Sequence, residues 1–306
     1  MSALAFTIVA LVLSGPVPAM LARASWPIRA PRAAIVLWQS IALAAVLSAF
    51  SAGIAIASRL FVLGPDGRPN ATITSEIDVL GWPLWAAYVI VFAITLVIGA
   101  RLTYAVLQVA IATRRRRAHH RMVVDLVGKS QGNHLRILNV AQPLAYCLPG
   151  VRSRVVVSEG ALNALGDNEM AAILSHERAH LRARHDLVLE MFTAVHAAFP
   201  RFVRSGNALD AVRLLIEMLA DDAAVRTAGP TPLARALVAC ASGRTPSGAL
   251  AAGGPTTVLR LRRLGGRPNS RAVAATAYLA AAAVLALPTL ALAVPWLTEL
   301  HRLFLA

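Results

Sequence analysis

Residues 166–184 read GDNEMAAILSHERAHLRAR, and this stretch decides how the whole chain is interpreted. Gly166-Asp167-Asn168 offers a helix N-cap, and Glu169 places an acidic side chain in the first turn, where the helix dipole favours it. Apolar residues then recur at the spacing of one helix face, at Met170, Ile173, Leu174 and Leu181. The sequence therefore predicts a helix that begins at this cap and ends near residue 184.

Two histidines on this helix are spaced to bind one metal ion. His176 and His180 lie four residues apart, about 40° around an α-helix, so both imidazoles project from the same face. Glu177 can reach a metal-bound water without ligating the metal itself. A zinc ion lowers the pKa of that water to about 7, and Glu177 would accept its proton and later pass it to the leaving amine. This HExxH pattern predicts a zinc hydrolase rather than a charged helix surface.

A catalytic zinc needs a third protein ligand and an open position. The best candidate is Glu217, on a later helix predicted over Leu209–Thr227. Asp186 is a rival, because a turn after Ala183 would bring it round to the two histidines. That arrangement needs glycine at the turn, and the chain has alanine there.

Polar residues near the ligands are candidates to support them. Asp221 lies one turn beyond Glu217 and could accept a hydrogen bond from a ligand imidazole, which would fix the imidazole's tautomer. The neighbouring Asp222 is expected to face solvent, and His185 is expected either to join the polar shell or to be solvated. An oxyanion donor should also be present, for which Arg213, one turn before Glu217, or a histidine is a candidate.

The composition of the chain indicates a membrane protein. Of its 306 residues, 57% are hydrophobic and only 15% are charged, and the mean hydropathy is +0.62. Soluble proteins carry about a quarter charged residues, and disordered chains are far more polar. A helix needs about 20 mostly apolar residues to cross the hydrocarbon layer. Four stretches qualify: Ala3–Ala22, Ile35–Val62, Leu80–Ala100 and Ala272–Trp296.

The charges of the short loops predict the orientation of these spans. The first loop carries Arg23, Arg29 and Arg32 and no acidic residue, so it should be cytoplasmic, whereas loop Gly64–Val79 is net acidic and should lie outside. The run Arg114–Arg117 follows the third span, and it is expected to anchor the topology and contact lipid headgroups rather than nucleic acid. The chain is thus predicted to be a multi-pass protein of the cell membrane with its large segment in the cytoplasm.

The chain divides into residues 1–112 with three transmembrane helices, residues 113–271 as a cytoplasmic α+β domain with the metal site, and residues 272–306 with the fourth transmembrane helix and a short outer tail. The first stretch is alternatively a signal peptide, although it lacks a basic n-region.

Cys147 and Cys240 show no metal-ligand spacing and are expected to be buried thiols. The cytoplasmic domain becomes helical after a β-rich beginning, in which strands are predicted over Leu135–Val140, Leu144–Leu148 and Arg154–Ser158.

HExxH, a downstream Glu-x-x-x-Asp helix and apolar spans on both sides together resemble the BlaR/MecR-type integral-membrane metallopeptidases. The HtpX/Ste24-type membrane peptidases are relatives of that group. The resemblance covers about Leu135–Thr227 and the four-span layout. The chain departs from the β-lactam sensors in one respect, because only about ten residues follow its last span, where those sensors carry a penicillin-binding domain.

The resemblance implies a gluzincin-type fold, and it assigns roles to particular residues of this chain. Glu177 would be the catalytic residue. Arg154–Ser158 would be an edge strand along which the main chain of a substrate can pair. One zinc ion would be held by His176, His180 and Glu217.

These observations predict a membrane-embedded zinc metalloendopeptidase that cleaves a cytoplasmic protein in a signalling step. The resemblance implies a winged-helix repressor of the BlaI/MecI type as the substrate, so that the peptidase would act as an antirepressor. One alternative is membrane-protein quality control, as in HtpX-like peptidases. A second is a non-catalytic receptor that keeps zinc for structure, although such a protein would not need Glu177. The chain shows no nucleic-acid recognition module, so direct nucleic-acid binding is not expected.

Overall fold

The computed structural model describes residues 2–57, 77–78, 81–132, 134–198, 206–241, 250–251, 256–266 and 269–305. Most of the predicted loop Gly64–Val79 and of the segment 242–255 lies outside this description. The helices are α1 (Ser2–Ser14), α2 (Pro16–Arg23), α3 (Pro31–Ala57), α4 (Trp82–Val127), α5 (Glu159–Ala164), α6 (Asp167–Arg182), α7 (His185–Ala198), α8 (Gly206–Ala228), α9 (Pro230–Cys240), α10 (Thr257–Leu264) and α11 (Arg271–Leu305). A 3-10 helix covers Trp26–Arg29, and the strands are β1 (Lys129–Gln131), β2 (Leu135–Leu138), β3 (Ala145–Leu148), β4 (Arg154–Ser158) and β5 (Leu250–Ala251).

Four helical segments of the described chain have the length and hydropathy to cross a membrane. The first is divided at Gly15 into α1 and α2, because Pro16 has no amide hydrogen with which to continue the helix. The third, α4, continues as a single helix of 46 residues, so the predicted boundary at residue 112 falls inside it. The four segments are Phe6–Arg23, Pro31–Gly53, Trp82–Val127 and Arg271–Ala291.

Helix α3 is the element on which the other long apolar helices pack, since α1, α4 and α11 all lie against it. Its buried side chains include Trp38 and Ile41, which share one hydrophobic core with Phe192 of α7 and Met218 of α8. The rings of Trp38 and Phe192 meet edge to face, with centroids 6.5 Å apart. The apolar helices and the helices of the large domain are therefore packed directly on one another.

The small mixed sheet has the strand order β1-β2-β4-β3-β5. Strand β4 pairs in parallel with β2 and antiparallel with β3, so the expectation that Arg154–Ser158 is an edge strand was wrong. The reason is the run Val155–Val157, which is buried throughout and suits a strand covered on both faces. Of the described strands, β1 and β5 lie at the two edges, and β5 pairs with β3.

Helix α4 is joined to α7 by two arginines. Nη1 of Arg117 lies 3.1 Å from Oδ2 of Asp186 and 2.5 Å from Oε1 of Glu190, and the Arg117 side chain is only 11% exposed. Nε of Arg101 donates a hydrogen bond to the carbonyl oxygen of Ala198 at the other end of α7. The last arginine of the basic run therefore binds protein carboxylates instead of lipid headgroups.

The turn from β4 into α5 is tightly packed around Ser158 and Gly160. Oγ of Ser158 accepts hydrogen bonds from the amides of Leu144 and Ala161, so it caps α5 and holds β3 beside it. A Cβ atom added to Gly160 would overlap the carbonyl oxygen of Ala141. A side chain is therefore excluded at this helical position although its backbone conformation is ordinary.

Replacing Gly160 by alanine should destabilise the protein by about 1–3 kcal/mol, because the overlap with backbone outweighs the better helix propensity of alanine. Gly265→Ala is the matched control, since no atom lies within 4 Å of its added Cβ. The measurement is the free energy of unfolding in detergent micelles. Equal stability of the two variants would contradict the packing described for this turn.

Candidate metal centre

Two helices bring the candidate ligands together. His176 and His180 lie on the buried face of α6, and Glu217 projects from α8, which packs against α6. Nε2 of His176 lies 3.4 Å from Oε2 of Glu217, Nε2 of His180 lies 3.6 Å from Oε1, and the two Nε2 atoms are 3.2 Å apart. The three side chains place one donor atom each within 4.8 Å of one another, so they could hold one metal ion.

The sequence of α6 explains why its histidines face inward. Oε2 of Glu169 accepts a hydrogen bond from the amide of Gly166 and closes the first turn. Ala172 and Ile173 follow and are fully buried in the core formed by the sheet and helices α6, α8 and α9. His176 lies one turn beyond Ala172 on the same face. Burial of the apolar stripe therefore turns the imidazoles into the protein.

Glu177 lies between the two histidines and is fully buried. Neither of its carboxylate oxygens accepts a well-aligned hydrogen bond from the described part of the chain. Burial raises the pKa of Glu177 to about 7, although the charge of His176 and the thiol of Cys147 act in the opposite direction. The site thus contains a carboxylate that accepts no well-aligned hydrogen bond from the described residues.

Asp221 and Arg260 form a buried ion pair behind His176. Nδ1 of His176 lies 3.0 Å from Oδ1 of Asp221. Arg260 donates hydrogen bonds to both Asp221 oxygens, from Nε at 2.8 Å and from Nη2 at 2.6 Å, and its Nη1 lies 3.0 Å from Oε2 of Glu217. Burial alone would raise the pKa of Asp221, but hydrogen bonding to Arg260 and His176 outweighs burial and holds this pKa well below its usual range.

His185 supports the second histidine of the motif. The Nδ1 atoms of His180 and His185 are 2.9 Å apart, so one donates a hydrogen bond and the other accepts it. Burial lowers the pKa of His180 to about 3 and that of His185 to about 4, which keeps both rings neutral. Burial also opposes protonation of His176, but hydrogen bonding to Asp221 and Glu217 outweighs it and raises the pKa of His176 to about 9.

A comparison with protein families decides what kind of domain holds this cluster. The model of Peptidase family M48 matches residues 112–268, just over half of the 306-residue chain. The chain belongs to peptidase family M48. Peptidases of this family are zinc-dependent, and the match supports a metallopeptidase of the HtpX, Ste24 and BlaR type. Searches of the curated proteins and of the solved structures each found no match.

Three polar residues of the M48 domain form contacts that the sequence did not predict. Arg213, a candidate oxyanion donor, pairs with Asp210 at 2.9 Å on the exposed surface. Asp222 does not simply face solvent, because its Oδ1 lies 2.8 Å from Nη1 of Arg263. The rival ligand Asp186 contacts an arginine of α4 instead of the two motif histidines.

The turn that follows α6 forms without glycine. Arg184 adopts a left-handed conformation with φ of 51°, and α7 begins at the next residue. The chain therefore turns at the position that a ligand role for Asp186 would require. The turn places His185, and not Asp186, against His180 of the candidate metal centre. Alanine at position 183 has φ of −84°, which any residue adopts.

Two residues of the M48 site were not assigned by the sequence reasoning. Arg260 lies on the basic helix α10, and nothing in the local sequence distinguishes it from Arg262 and Arg263. His185 was left between a polar shell and solvent, and the structure places it against His180. Both positions depend on how separate helices pack, which local spacing does not show.

The residues present fit a zinc ion. Two imidazole nitrogens and one carboxylate oxygen form a donor set that suits zinc and leaves a coordination position open. Nδ1 of His176 lies 3.0 Å from Asp221 and Nδ1 of His180 lies 2.9 Å from His185, so the Nε2 atom of each ring is the one available to a metal. The two carboxylate oxygens of Glu177 accept no well-aligned hydrogen bond from the described residues, so they can accept hydrogen bonds from a water molecule in the site.

Arg260→Met should destabilise the metal-free protein by about 3–5 kcal/mol, because it leaves the buried carboxylates of Asp221 and Glu217 without their positive partner. Arg262→Met on the same helix is the control, since Arg262 is exposed. The free energy of unfolding, measured after chelation in detergent, separates this effect from metal binding. A loss no larger than that of Arg262→Met would show that the ion pair is not structurally required.

Proposed function

We propose that the chain is a zinc-dependent endopeptidase of the cell membrane, with His176, His180 and Glu217 as zinc ligands and Glu177 as the general acid and base. The observation that supports this proposal is the convergence of the three donor atoms within 4.8 Å, beside a buried carboxylate that has no well-aligned partner in the described chain. The match to peptidase family M48 supports the same reading.

The positions of the side chains suggest a separate role for each of them in the proposed reaction. Zinc, when bound, supplies a Lewis acid that activates water and polarises the scissile carbonyl. Glu177 accepts the proton of the attacking water and delivers it to the departing amine. The carboxylate of Asp221 lies 3.0 Å from Nδ1 of His176, and Nδ1 of His185 lies 2.9 Å from Nδ1 of His180. With these groups beside Nδ1, each ring can present Nε2 to the ion.

We further propose that the peptidase domain, residues 113–271, lies in the cytoplasm between transmembrane helices in residues 1–112 and 272–306. The basic first loop and the basic run at the start of the domain support this orientation. The proposed substrate is a cytoplasmic winged-helix repressor of the BlaI/MecI type, cleaved in a signalling step. The support for it is the resemblance of the HExxH and Glu-x-x-x-Asp helices to those of BlaR/MecR-type peptidases.

Membrane-protein quality control is the second candidate, because the M48 match includes HtpX-type peptidases as well. The two functions differ in substrate range. A repressor peptidase should cut one folded protein at a defined bond and leave casein intact, whereas a quality-control peptidase should degrade casein and misfolded membrane proteins. Incubation of the zinc-loaded protein with each substrate class distinguishes them.

Glu177→Gln should retain zinc and lose about 10²- to 10⁴-fold in peptidase activity, because the amide cannot take up the proton of the attacking water. The control is Arg178→Gln, whose side chain is exposed on the other face of α6. Zinc content by atomic emission and substrate cleavage by gel electrophoresis are measured together. If signalling in cells survives Glu177→Gln, the chain is a zinc-containing receptor rather than a peptidase.

Asp221→Asn should weaken zinc binding about 10- to 100-fold, because it removes the negative charge that lies 3.0 Å from Nδ1 of His176 and favours the ligating orientation of the ring. Asp222→Asn is a matched control, since the neighbouring carboxylate pairs with Arg263 instead. Competition with a chromophoric chelator gives both dissociation constants. Similar zinc affinities for the two variants would contradict the positioning role of Asp221.

A further inference from the structure

A large apolar cavity lies between the apolar helices and the peptidase domain, away from the metal centre. Its volume is about 550 Å³, in the range of small-molecule sites. Helices α1, α3 and α4 form one side of it, and α7 and α8 form the other. Its lining is predominantly apolar and includes Leu11, Ala45, Ile94, Phe192 and Leu209.

The shape of the cavity suits a hydrocarbon chain. The residues that α3 contributes extend from Trp38 to Gly53, which is about 22 Å of helix. The cavity is therefore elongated along α3, the direction in which acyl chains run beside a spanning helix. Protein interiors rarely leave voids larger than a water molecule, and apolar voids take up apolar guests rather than water.

The residues of α1 and α4 that border the cavity are accessible and apolar. Leu11 of α1 and Ile94 of α4 both line the cavity and are 63% and 52% exposed, which indicates an entrance between these two helices. At the opposite wall, Phe192 is only 7% exposed. Because α1 and α4 lie in segments apolar enough to cross a membrane, the entrance would face lipid hydrocarbon.

The indole of Trp38 places a polar atom at the cavity. The indole Nε1 of Trp38 is buried and donates no hydrogen bond within the described part of the chain. Buried indole N–H groups normally find an acceptor. Trp38 lies two turns from Pro31, where α3 begins, so its depth suits the ester carbonyls that border the hydrocarbon layer.

We propose that this cavity binds one acyl chain of a membrane phospholipid, which enters between α1 and α4 and whose ester carbonyl accepts a hydrogen bond from Nε1 of Trp38. The bound chain contacts Phe192 on α7 and Leu209 on α8, the helices that also carry His185 and Glu217. The proposal rests on the membrane embedding described above, and it does not depend on the peptidase activity.

The first experiment uses the full-length, zinc-loaded protein in nanodiscs of phosphatidylcholine and phosphatidylglycerol. These discs contain a phospholipid with a diazirine near the end of one acyl chain, and labelled residues are mapped by mass spectrometry after irradiation. Labelling is expected on the inner wall at Phe192 and Ile41, which annular lipid does not reach. Labelling confined to outward-facing residues, such as Leu107 and Leu279, would overturn the proposal.

A cavity-filling variant tests whether the inner-wall labelling comes from the cavity. Ala45→Phe places a ring in the cavity and should reduce labelling of Phe192 to background. Leu43→Phe adds similar bulk on the exposed face of α3 and should leave the labelling unchanged. Unchanged labelling in Ala45→Phe would count against the proposal, and zinc content verifies that each variant is folded.

The hydrogen bond is tested without filling the cavity. An ester-linked probe should label Phe192 about 2- to 10-fold more than the matched ether-linked probe, the factor expected for one ordinary hydrogen bond. Trp38→Phe should abolish this preference, whereas Trp82→Phe, at an exposed position on α4, should keep it. Equal labelling by both probes in the unaltered protein, or a preference that persists in Trp38→Phe, would refute the role of the indole.

Discussion

Burial of two carboxylates next to the metal-binding histidines requires a compensating positive charge, and Arg260 supplies it. Its guanidinium contacts Asp221 and Glu217, one turn apart on α8, and thereby fixes α10 against that helix. An isolated buried carboxylate would take up a proton, and a protonated Glu217 would be a poor ligand. The ion pair keeps both acids charged, so the candidate ligand set can exist in a largely buried site.

The parts of the site that follow from local geometry could be predicted from the sequence. His176 and His180 share a face because of helix periodicity, and the same rule relates Glu217 to Asp221; the structure brings these four residues together. Arg260 could not be found in this way. It lies 39 residues beyond Asp221, and its position depends on how α10 packs after a long intervening segment.

In the fold as well, the features set by local sequence could be predicted, whereas those set by contacts between distant segments could not. Strands and helices occur close to where alternation, turn residues and caps predict them, but the pairing order of the strands does not follow from those signals. β4 was expected at an edge of the sheet. It lies inside the sheet, because the earlier strand β2 pairs with it in parallel. Similarly, the change in composition after Ala100 predicts the end of a lipid-embedded stretch, yet α4 continues, since no glycine or proline interrupts it before Gly128.

Because α4 is a single unbroken helix, a change in its tilt is transmitted along its whole length. With 46 residues it is about 69 Å long, and Arg117 lies about 52 Å from its first turn. If the helix stays straight, a tilt of about 10° about its first turn displaces Arg117 by about 9 Å. Arg117 is bound to Asp186, the neighbour of His185, so such a displacement cannot occur without moving α7 or breaking that ion pair. The geometry of the candidate metal centre is thus mechanically connected to the tilt of α4.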